Sequence, residues 1–258
     1  MMPSLSRRSA VVFALCAACG AMPSPGAAAP PVPVGVFPEV NGEPPAPWKV
    51  VLRGHRLKPT RYRTMVWDGV PAIEARADAS MALLARPVEV DLQATPILCW
   101  RWRIDGVVPE ADMTSKDGDD YAARVYVGFR LPKEMLGMAE RARLAMARNM
   151  FGEETPDVAV VYVWDNRNPV GTNRPNAYTD HAQMIVQRSG DAEARRWLNE
   201  RVDVLADVTR AFGNRKPAAF MVALATDTDD TGARARAGYA DLHFVARDTP
   251  CATGRPDR

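Results

Sequence analysis

Four segments of this sequence carry arginine, aromatic and amide side chains at spacings that suit recognition of a polar ligand. If each segment is a β-strand, alternate side chains lie on opposite faces, and one face collects these groups. The residues of that face are Arg101, Arg103, Arg124, Tyr126, Tyr162, Trp164, His181, Gln183 and Gln187. Aromatic rings stack on the apolar faces of a sugar, and planar polar groups hydrogen-bond its hydroxyls. The pattern predicts a saccharide-binding face; the alternative is a solvated or helix-covered face on which arginines pack over aromatics.

Two loops add acidic and amide side chains to this prediction. In the first, Asp119 and Asp120 stand directly before a strand, where they could pair with an arginine, bind a cation or end the strand. The second, residues 165–180, has no regular pattern and is long for a compact domain, which is typical of a functional or mobile segment. The loop residues added to the predicted ligand-binding set are Asp120, Asp165 and Asn166.

A third loop, residues 226–232, is similar to the opening half of a calcium-binding loop. Asp227, Asp229 and Thr231 offer oxygen ligands at alternate positions. A complete EF-hand is excluded, because Gly238 occupies the position of its closing glutamate. Two interpretations stay open: a calcium site completed by another acid of the chain, or a hairpin turn whose side chains bond their own backbone. No other cofactor is expected.

The sequence lacks the motifs of several catalytic classes. It contains no nucleophile elbow, no Gly-rich phosphate loop and no zinc-protease helix motif, and its three histidines are far apart. Catalysis by two carboxylates, as in glycoside hydrolysis, stays open. The candidate carboxylates are Asp119, Asp120, Asp180 and Asp227.

The elements that must position these residues are mainly strands. Short β-type segments separated by turn residues are predicted at 48–53, 63–67, 72–77, 97–104, 121–130, 158–164, 182–188, 218–225 and 239–246, with weaker candidates at 80–84, 88–91 and 197–202. Because helices do not alternate with strands, the pattern predicts a mainly β fold. We expect an antiparallel β-sandwich of the jelly-roll or galactose-binding-like type.

One or two helices are expected to pack on this sandwich. Residues 133–150 place methionine and alanine at helical spacing, and we expect this stripe to pack in the core. Residues 204–212 form the second predicted helix, with Asp203 as its N-cap and Gly213 at its C-terminal end.

The first 29 residues are typical of a secretory signal peptide, which predicts a periplasmic or secreted protein. Arg7 and Arg8 precede an apolar run, and an alanine triplet offers a cleavage site. Twin-arginine export and lipid attachment at Cys19 stay open as alternatives to simple cleavage. The proline-rich residues 30–47 are expected to be a linker.

We expect residues 48–247 to form one domain and residues 248–258 to be a flexible tail. The leader holds two of the 33 basic residues and none of the 31 acidic ones, so the remaining chain is electrically balanced. Without a basic block it is unsuited to nucleic acid, and it has no apolar run long enough to span a membrane. The sequence leaves the oligomeric state open.

Two cysteines remain after the leader. Cys99 lies in an apolar strand and Cys251 in the tail. An exported protein could join them in a disulfide, but a buried free thiol at Cys99 is the favoured interpretation.

The chain resembles DUF3047, a family of exported bacterial proteins whose domain has no known function. The resemblance spans about residues 45–247, and its most specific part is Gly118-Asp119-Asp120-Tyr121-Ala122-Ala123-Arg124. Further matching segments are 98–103, 163–166, 226–232 and the strand 239–244. The resemblance implies one exported domain and assigns no catalytic residue. A weaker likeness of the strand pattern to jelly-roll carbohydrate-binding modules concerns the fold alone.

The function favoured by the sequence is noncatalytic binding of a saccharide or another polar glycan of the cell envelope. A polysaccharide hydrolase or lyase that uses the loop carboxylates is the first alternative. A structural envelope protein, in which the same charges only pair within the fold, is the second.

Overall fold

The structure is a computed structural model that describes residues 28–52 and 57–253. The predictions for the leader up to residue 27, including Cys19, and for the end of the tail lie outside these residues. The strands are β1 (Val32–Gly35), β2 (Lys49–Val51), β3 (Arg61–Trp67), β4 (Val70–Asp78), β5 (Leu83–Val90), β6 (Ile97–Ile104), β7 (Tyr121–Arg130), β8 (Val158–Asp165), β9 (Asn173–Asn176), β10 (Thr179–Ser189), β11 (Leu198–Asp203), β12 (Ala218–Asp227) and β13 (Arg234–Val245).

The strands form two sheets. Sheet A has six strands in the order β11-β6-β13-β4-β3, with β1 also paired to β13, and sheet B has seven in the order β2-β5-β12-β7-β8-β10-β9. The predicted mainly β sandwich with packed helices is confirmed. One pair departs from the antiparallel prediction, because β8 and β10 are parallel. The segment between them contains β9, which is antiparallel to β10 and carries the chain back to the end of the sheet at which β8 begins.

The core lies between the facing surfaces of the two sheets. Leu98, Trp100, Trp102 and Ile104 of β6 all point into it and are buried, as the alternation in this strand predicts. Apolar side chains of β7 and β8 meet them from sheet B. Burial of such large rings and aliphatic chains removes much apolar surface from water and holds the sheets together.

Two α-helices flank the sandwich, and the first departs from the prediction. A 3-10 turn at Lys133–Met135 precedes α1 (Met138–Phe151). The methionine stripe was expected in the core, but Met138 is 88% exposed and Met146 is 65% exposed. Among the described side chains of this helix, Leu144 packs against the core, whereas these two methionines remain in solvent.

The second helix, α2 (Val204–Phe212), forms as predicted. The Asp203 side chain accepts a hydrogen bond from the Ala206 backbone nitrogen at 2.9 Å, and Gly213 ends the helix with a positive φ of 77°, which glycine adopts without strain. Within the described part of the chain, no helix has the length and apolar character needed to cross a bilayer.

The predicted boundaries of the domain are too narrow at both ends. Residues 30–47 are not a free linker, because β1 pairs with β13 and Phe37 packs in the core against Trp48 at 5.8 Å between ring centroids. The described tail is not free either. Cys251 forms a disulfide with Cys99, so the favoured free thiol at Cys99 is wrong.

Candidate functional site

The predicted ligand-binding face does not exist as one surface, because β8 is oriented opposite to the prediction. Tyr162 and Trp164 point into the core, where their ring centroids lie 5.5 Å from Trp100 and 5.7 Å from Trp102, respectively. Both side chains are buried. Val161 and Val163 of β8 instead lie on the outer face of sheet B among other apolar side chains. Both faces of this strand are covered, so alternation could not tell which one faces sheet A.

Arg124 lies on the outer face of sheet B and is also buried. Its Nε donates to Asp227 Oδ1 at 3.0 Å and its Nη1 to Asp119 Oδ1 at 3.3 Å, and its guanidinium lies 4.4 Å from the Tyr121 ring centroid. Burial acts to lower the pKa of Arg124, but the two carboxylates outweigh it and raise the pKa above its usual value. Tyr126, beside it, receives a hydrogen bond of 3.3 Å from Arg124. The network joins parts of the fold and leaves little of Arg124 for a ligand.

Asp120, Asp165 and Asn166 each fix a loop. Asp120 accepts from the backbone nitrogen of Thr231 at 2.6 Å, and Asp165 accepts from that of Arg167 at 2.8 Å. The Asn166 side chain donates to the carbonyls of Pro109 and Ala111 at 2.8 and 2.9 Å. All three side chains hold backbone in place.

The other predicted residues lie apart from one another. His181 hydrogen-bonds the Asp157 carbonyl through Nδ1 at 2.9 Å, and Gln183 donates to Asn173 in β9. Arg101 lies in the other sheet, where it forms an ion pair with Asp241. Of the predicted set, a direct contact between side chains joins Arg124 and Tyr126, and the set as a whole does not line one surface.

The acidic residues near the β12–β13 loop form a cluster that differs from the predicted calcium ligands. Carboxylate oxygens of Asp120, Asp229 and Asp230 lie within 4.8 Å of one another, whereas Asp227 engages Arg124 and Thr231 donates its backbone nitrogen to Asp120. Three carboxylates are donors that a hard cation such as calcium prefers. Of the predicted ligands, only Asp229 belongs to this cluster.

Asp230 is the member of the cluster whose pKa lies furthest above the ordinary value of an aspartate. Its pKa is raised to about 6: burial is the largest cause, the nearby carboxylates of Asp229 and Asp120 act in the same direction, and a hydrogen bond from Tyr178 acts in the opposite one. A carboxyl with such a pKa exchanges its proton near neutral pH.

The outer face of sheet A carries an arginine row that the sequence analysis missed. Arg61, Arg76 and Arg236 occupy paired positions on the neighbouring strands β3, β4 and β13. Side chains directly opposite one another in a sheet are close neighbours, and like charges in such pairs are destabilising. The fold therefore concentrates positive charge at this point.

A recess of about 520 Å³ opens to solvent over this row, which lies at the end of sheet A where β13 begins. Its lining contains small and apolar groups from Ala77, Gly106 and Val107. Its charged lining residues are Arg61, Arg76, Arg234, Arg236, Asp78 and Asp105. We call this site the arginine recess.

The buried carboxylate of Glu74 binds three arginines of this face and holds them in place. It accepts from Arg76 Nη2 at 2.9 Å and from Arg236 Nε at 2.7 Å, and Arg63 is its third partner. Burial acts to raise the pKa of Glu74, but the hydrogen bonds from the three arginines lower it to about 2. Arg61 makes no ion pair with any residue that the structure describes.

Aromatic packing fixes the row further. The guanidinium of Arg236 lies 3.7 Å and that of Arg103 4.1 Å from the Trp67 ring centroid, distances at which cation–π attraction operates. The Trp197 ring meets Trp67 edge-on at 6.3 Å between centroids. The Gly238 backbone passes beside both rings.

A signal for the arginine recess is present in the sequence. Arginines alternate with other residues in 61–63, 101–103 and 234–236, as do the charges of 74–78. Period-two alternation places each set on one strand face. What the sequence does not provide is the strand order β6-β13-β4-β3, which brings these segments side by side.

The family described as "Protein of unknown function (DUF3047)" matches residues 46–243. The chain belongs to this family. No curated protein matches the chain.

Several solved structures share a general likeness with this β-sandwich. The family 30 carbohydrate-binding module of a cellulosomal cellulase of Clostridium thermocellum has 10% identity and a TM-score of 0.40, with 86% of this chain and 100% of that chain covered. A family 12 xyloglucanase from Bacillus licheniformis has 7% identity and a TM-score of 0.41, with 76% and 90% covered. An endoglucanase from Rhodothermus marinus has 9% identity and a TM-score of 0.40, with 80% and 97% covered. These values identify neither a ligand nor an activity.

Proposed function

We propose that this protein binds a saccharide, without chemical conversion, in the arginine recess on the outer face of sheet A. The observation that carries the proposal is the recess itself: about 520 Å³ open to solvent, with four arginines and two aspartates in its lining. Ligand sites commonly enclose roughly 300–1,000 Å³, so the recess accommodates one or two sugar rings.

The lining has the two kinds of surface that a sugar needs. Guanidinium and carboxylate groups are planar and offer hydrogen bonds to adjacent hydroxyls, and Ala77 and Val107 provide apolar surface for the C–H groups of the ring. The predicted glycan function is thereby kept, but its location moves from sheet B to sheet A.

The chemistry of the recess favours binding over hydrolysis. A glycosidase needs a carboxylic acid that keeps its proton near neutral pH. Hydrogen bonds from Lys58 and Arg234 instead lower the pKa of Asp78 to about 2. This carboxylate is an acceptor for a ligand hydroxyl and not a proton donor.

A hydrolase remains the second candidate function because of Asp230. Its pKa of about 6 and its position within 4.8 Å of the other carboxylates of the cluster suit a proton donor. Release of soluble sugars from a polysaccharide panel by the wild type, lost in Asp230→Asn, would support this alternative. Absence of any released product would leave binding as the function.

We place the protein outside the cytoplasm. The leader predicts export, and the disulfide between Cys99 and Cys251 suits a compartment that oxidises thiols. The ligand in this proposal is therefore a glycan of the cell envelope or of the surroundings of the cell.

The test is retention on immobilised polysaccharides that include neutral and charged chains. We expect wild-type protein to be retained on at least one of them and the Arg61→Ala variant to be retained less, because Arg61 lines the recess and has no ion pair within the described fold to lose. Arg143→Ala is the matched control, since Arg143 is exposed on α1. Equal retention of all three proteins would contradict the location, and no retention on any glycan would contradict the function.

A further inference from the structure

We infer that the saccharide bound in the arginine recess is acidic, with carboxylate or sulfate groups on its sugar rings. This inference rests on the proposed function and adds the chemical class of the ligand. Its basis is the surplus of positive charge in the recess, the way in which that charge is held, and the presence among the four lining arginines of one, Arg61, that forms no ion pair with any described residue.

The charge of the recess is uneven. Four arginines line it against two aspartates, and the buried carboxylate of Glu74 balances one more of these charges, which leaves one positive charge in excess. The excess is local, because basic and acidic residues are equal in number outside the predicted leader. A neutral sugar would not need this imbalance, whereas an anionic one would balance it.

The repulsion among the arginines is only partly balanced by carboxylates of the fold. Arg61, Arg76 and Arg236 are cross-strand neighbours, and like charges in that position repel. Glu74 is shared by Arg76 and Arg236 but not by Arg61. An anionic group above the row would therefore be attracted by several guanidinium groups at once.

The arginines are also held ready for a planar anion. Glu74 fixes Arg76 and Arg236, and Trp67 supports Arg236 by cation–π contact at 3.7 Å. A guanidinium whose position is already fixed loses little freedom on binding. Arg236 directs its N–H groups to Glu74 and Asp105. Arg76, in contrast, contacts Glu74 through Nη2 alone, so the remaining N–H groups of Arg76 can meet the oxygens of a carboxylate or sulfate.

The rim of the recess is more adaptable than its floor. The Arg234 side chain is 83% exposed, although its Nε donates to Asp78 at 2.9 Å, and Arg61 is exposed. These two side chains can turn towards a ligand without breaking the Glu74 network. They are the residues to change in a test.

The experiment is calorimetric titration of the protein with trigalacturonate and with its methyl ester, which has the same sugar rings without the charges. A sulfated trisaccharide forms a second anionic arm. The proteins are the wild type, the double variant Arg61→Gln/Arg234→Gln and the control Arg143→Gln. Melting temperatures establish that all three are folded.

We expect the wild type and the control to bind at least one anionic ligand, and the double variant to bind it about tenfold or more weakly. Affinity for the anionic ligand should fall as salt increases, while the methyl ester should bind weakly or not at all. Binding of the carboxylated or the sulfated arm identifies which anion the recess accepts.

Equal affinity for trigalacturonate and its methyl ester, or an anionic affinity unchanged in the folded double variant, would overturn the inference. If neutral glycans bind and Arg61→Ala weakens them, the proposed function stands and only the acidic class fails. If no glycan of either kind binds, the proposed function and the inference fail together.

Discussion

Arg124 and Arg61 carry the same charge in opposite surroundings, and the difference separates a structural from a functional role. Arg124 is buried with Asp119 and Asp227, and removal of one member of such a group leaves an uncompensated buried charge, which is strongly destabilising. Arg61 is exposed at the recess and has no ion-pair partner among the described residues. A substitution at Arg61 should therefore affect binding, and one at Arg124 should affect folding.

Asp230 gives a pH dependence whose sign follows from its raised pKa. Its folded-state pKa is about 6, against an ordinary value of 3.8, so between about pH 4 and pH 6 the folded protein retains a proton that the unfolded chain has released. The contribution of Asp230 to the free energy of unfolding is therefore largest below this range and is lost as the pH rises through it.

We expect Asp230→Asn to remove this loss, because the amide does not ionise and its oxygen can still accept from Tyr178. Melting curves are recorded from pH 4 to pH 7 with a chelator that removes divalent cations. The melting temperature of the variant should rise relative to that of the wild type as the pH increases, and should be about 2 °C higher at pH 7. Asp248→Asn removes the same charge at an exposed position and serves as the control. A difference between Asp230→Asn and wild type that stays constant with pH would contradict the assignment.

At the scale of elements, β13 shows how a small residue permits the packing beside the recess. A Cβ atom added at Gly238 would lie 2.7 Å from Trp197 Cη2 and 3.1 Å from Trp67 Cε3. Both atoms belong to rigid rings in the edge-on pair that supports Arg236, so neither can give way alone. The absence of a side chain at this position lets the rings approach the strand.

Gly238→Ala should therefore destabilise the protein, by about 1–3 kcal/mol as for other overpacked sites. Denaturant unfolding of the variant and the wild type measures this difference. Gly42→Ala is the matched control, since a Cβ atom there would make an ordinary contact of 3.7 Å with Thr64 Oγ1. Equal free energies of unfolding for Gly238→Ala and wild type would show that the rings can move aside.

The positions of the strands could be predicted from the sequence, but the order in which they pair within the two sheets could not. Alternation in β6 identifies its core face correctly because the other face carries arginines. In β8 both faces are apolar: Tyr162 and Trp164 lie in the core, and Val161 and Val163 belong to a second apolar cluster on the outer face. Period-two alternation sorts side chains into two sets, and only the strand order decides which set faces the other sheet.

The same limit explains why the arginine recess was missed. Arg61 and Arg76 lie on the consecutive strands β3 and β4, but Arg236 is distant in sequence and joins them because β13 pairs with β4. Pairing of strands distant in sequence depends on the whole fold. The acidic cluster was closer to prediction, because Asp229 and Asp230 belong to one short loop and only Asp120 comes from elsewhere.

At the scale of the whole molecule, negative charge is concentrated in the acidic cluster and positive charge in the arginine recess. The β12–β13 loop contributes acidic residues to the cluster, and the first residues of β13 contribute arginines to the recess. The net charge outside the leader is zero by residue count, so the composition alone conceals both features. Association with a ligand should depend on the local field of the recess and not on net charge.

The disulfide joins a strand in the middle of the chain to the segment that follows the last strand. Cys99 lies in β6, the strand that pairs with β13. Cys251 follows β13 in the chain and is 152 residues from Cys99. A crosslink between such distant residues restricts the unfolded chain, and loss of a native disulfide commonly lowers stability by about 2–5 kcal/mol.

We expect the protein isolated from an oxidising compartment to yield a linked pair of peptides containing Cys99 and Cys251, detected by mass spectrometry. A reductant should lower the melting temperature of the wild type to that of Cys251→Ser, because the crosslink then constrains neither unfolded chain. The Cys251→Ser variant is itself the control, since a reductant should leave its melting temperature unchanged. Two freely alkylated thiols in the folded wild type would contradict the crosslink, and with it the strongest structural support for a location outside the cytoplasm.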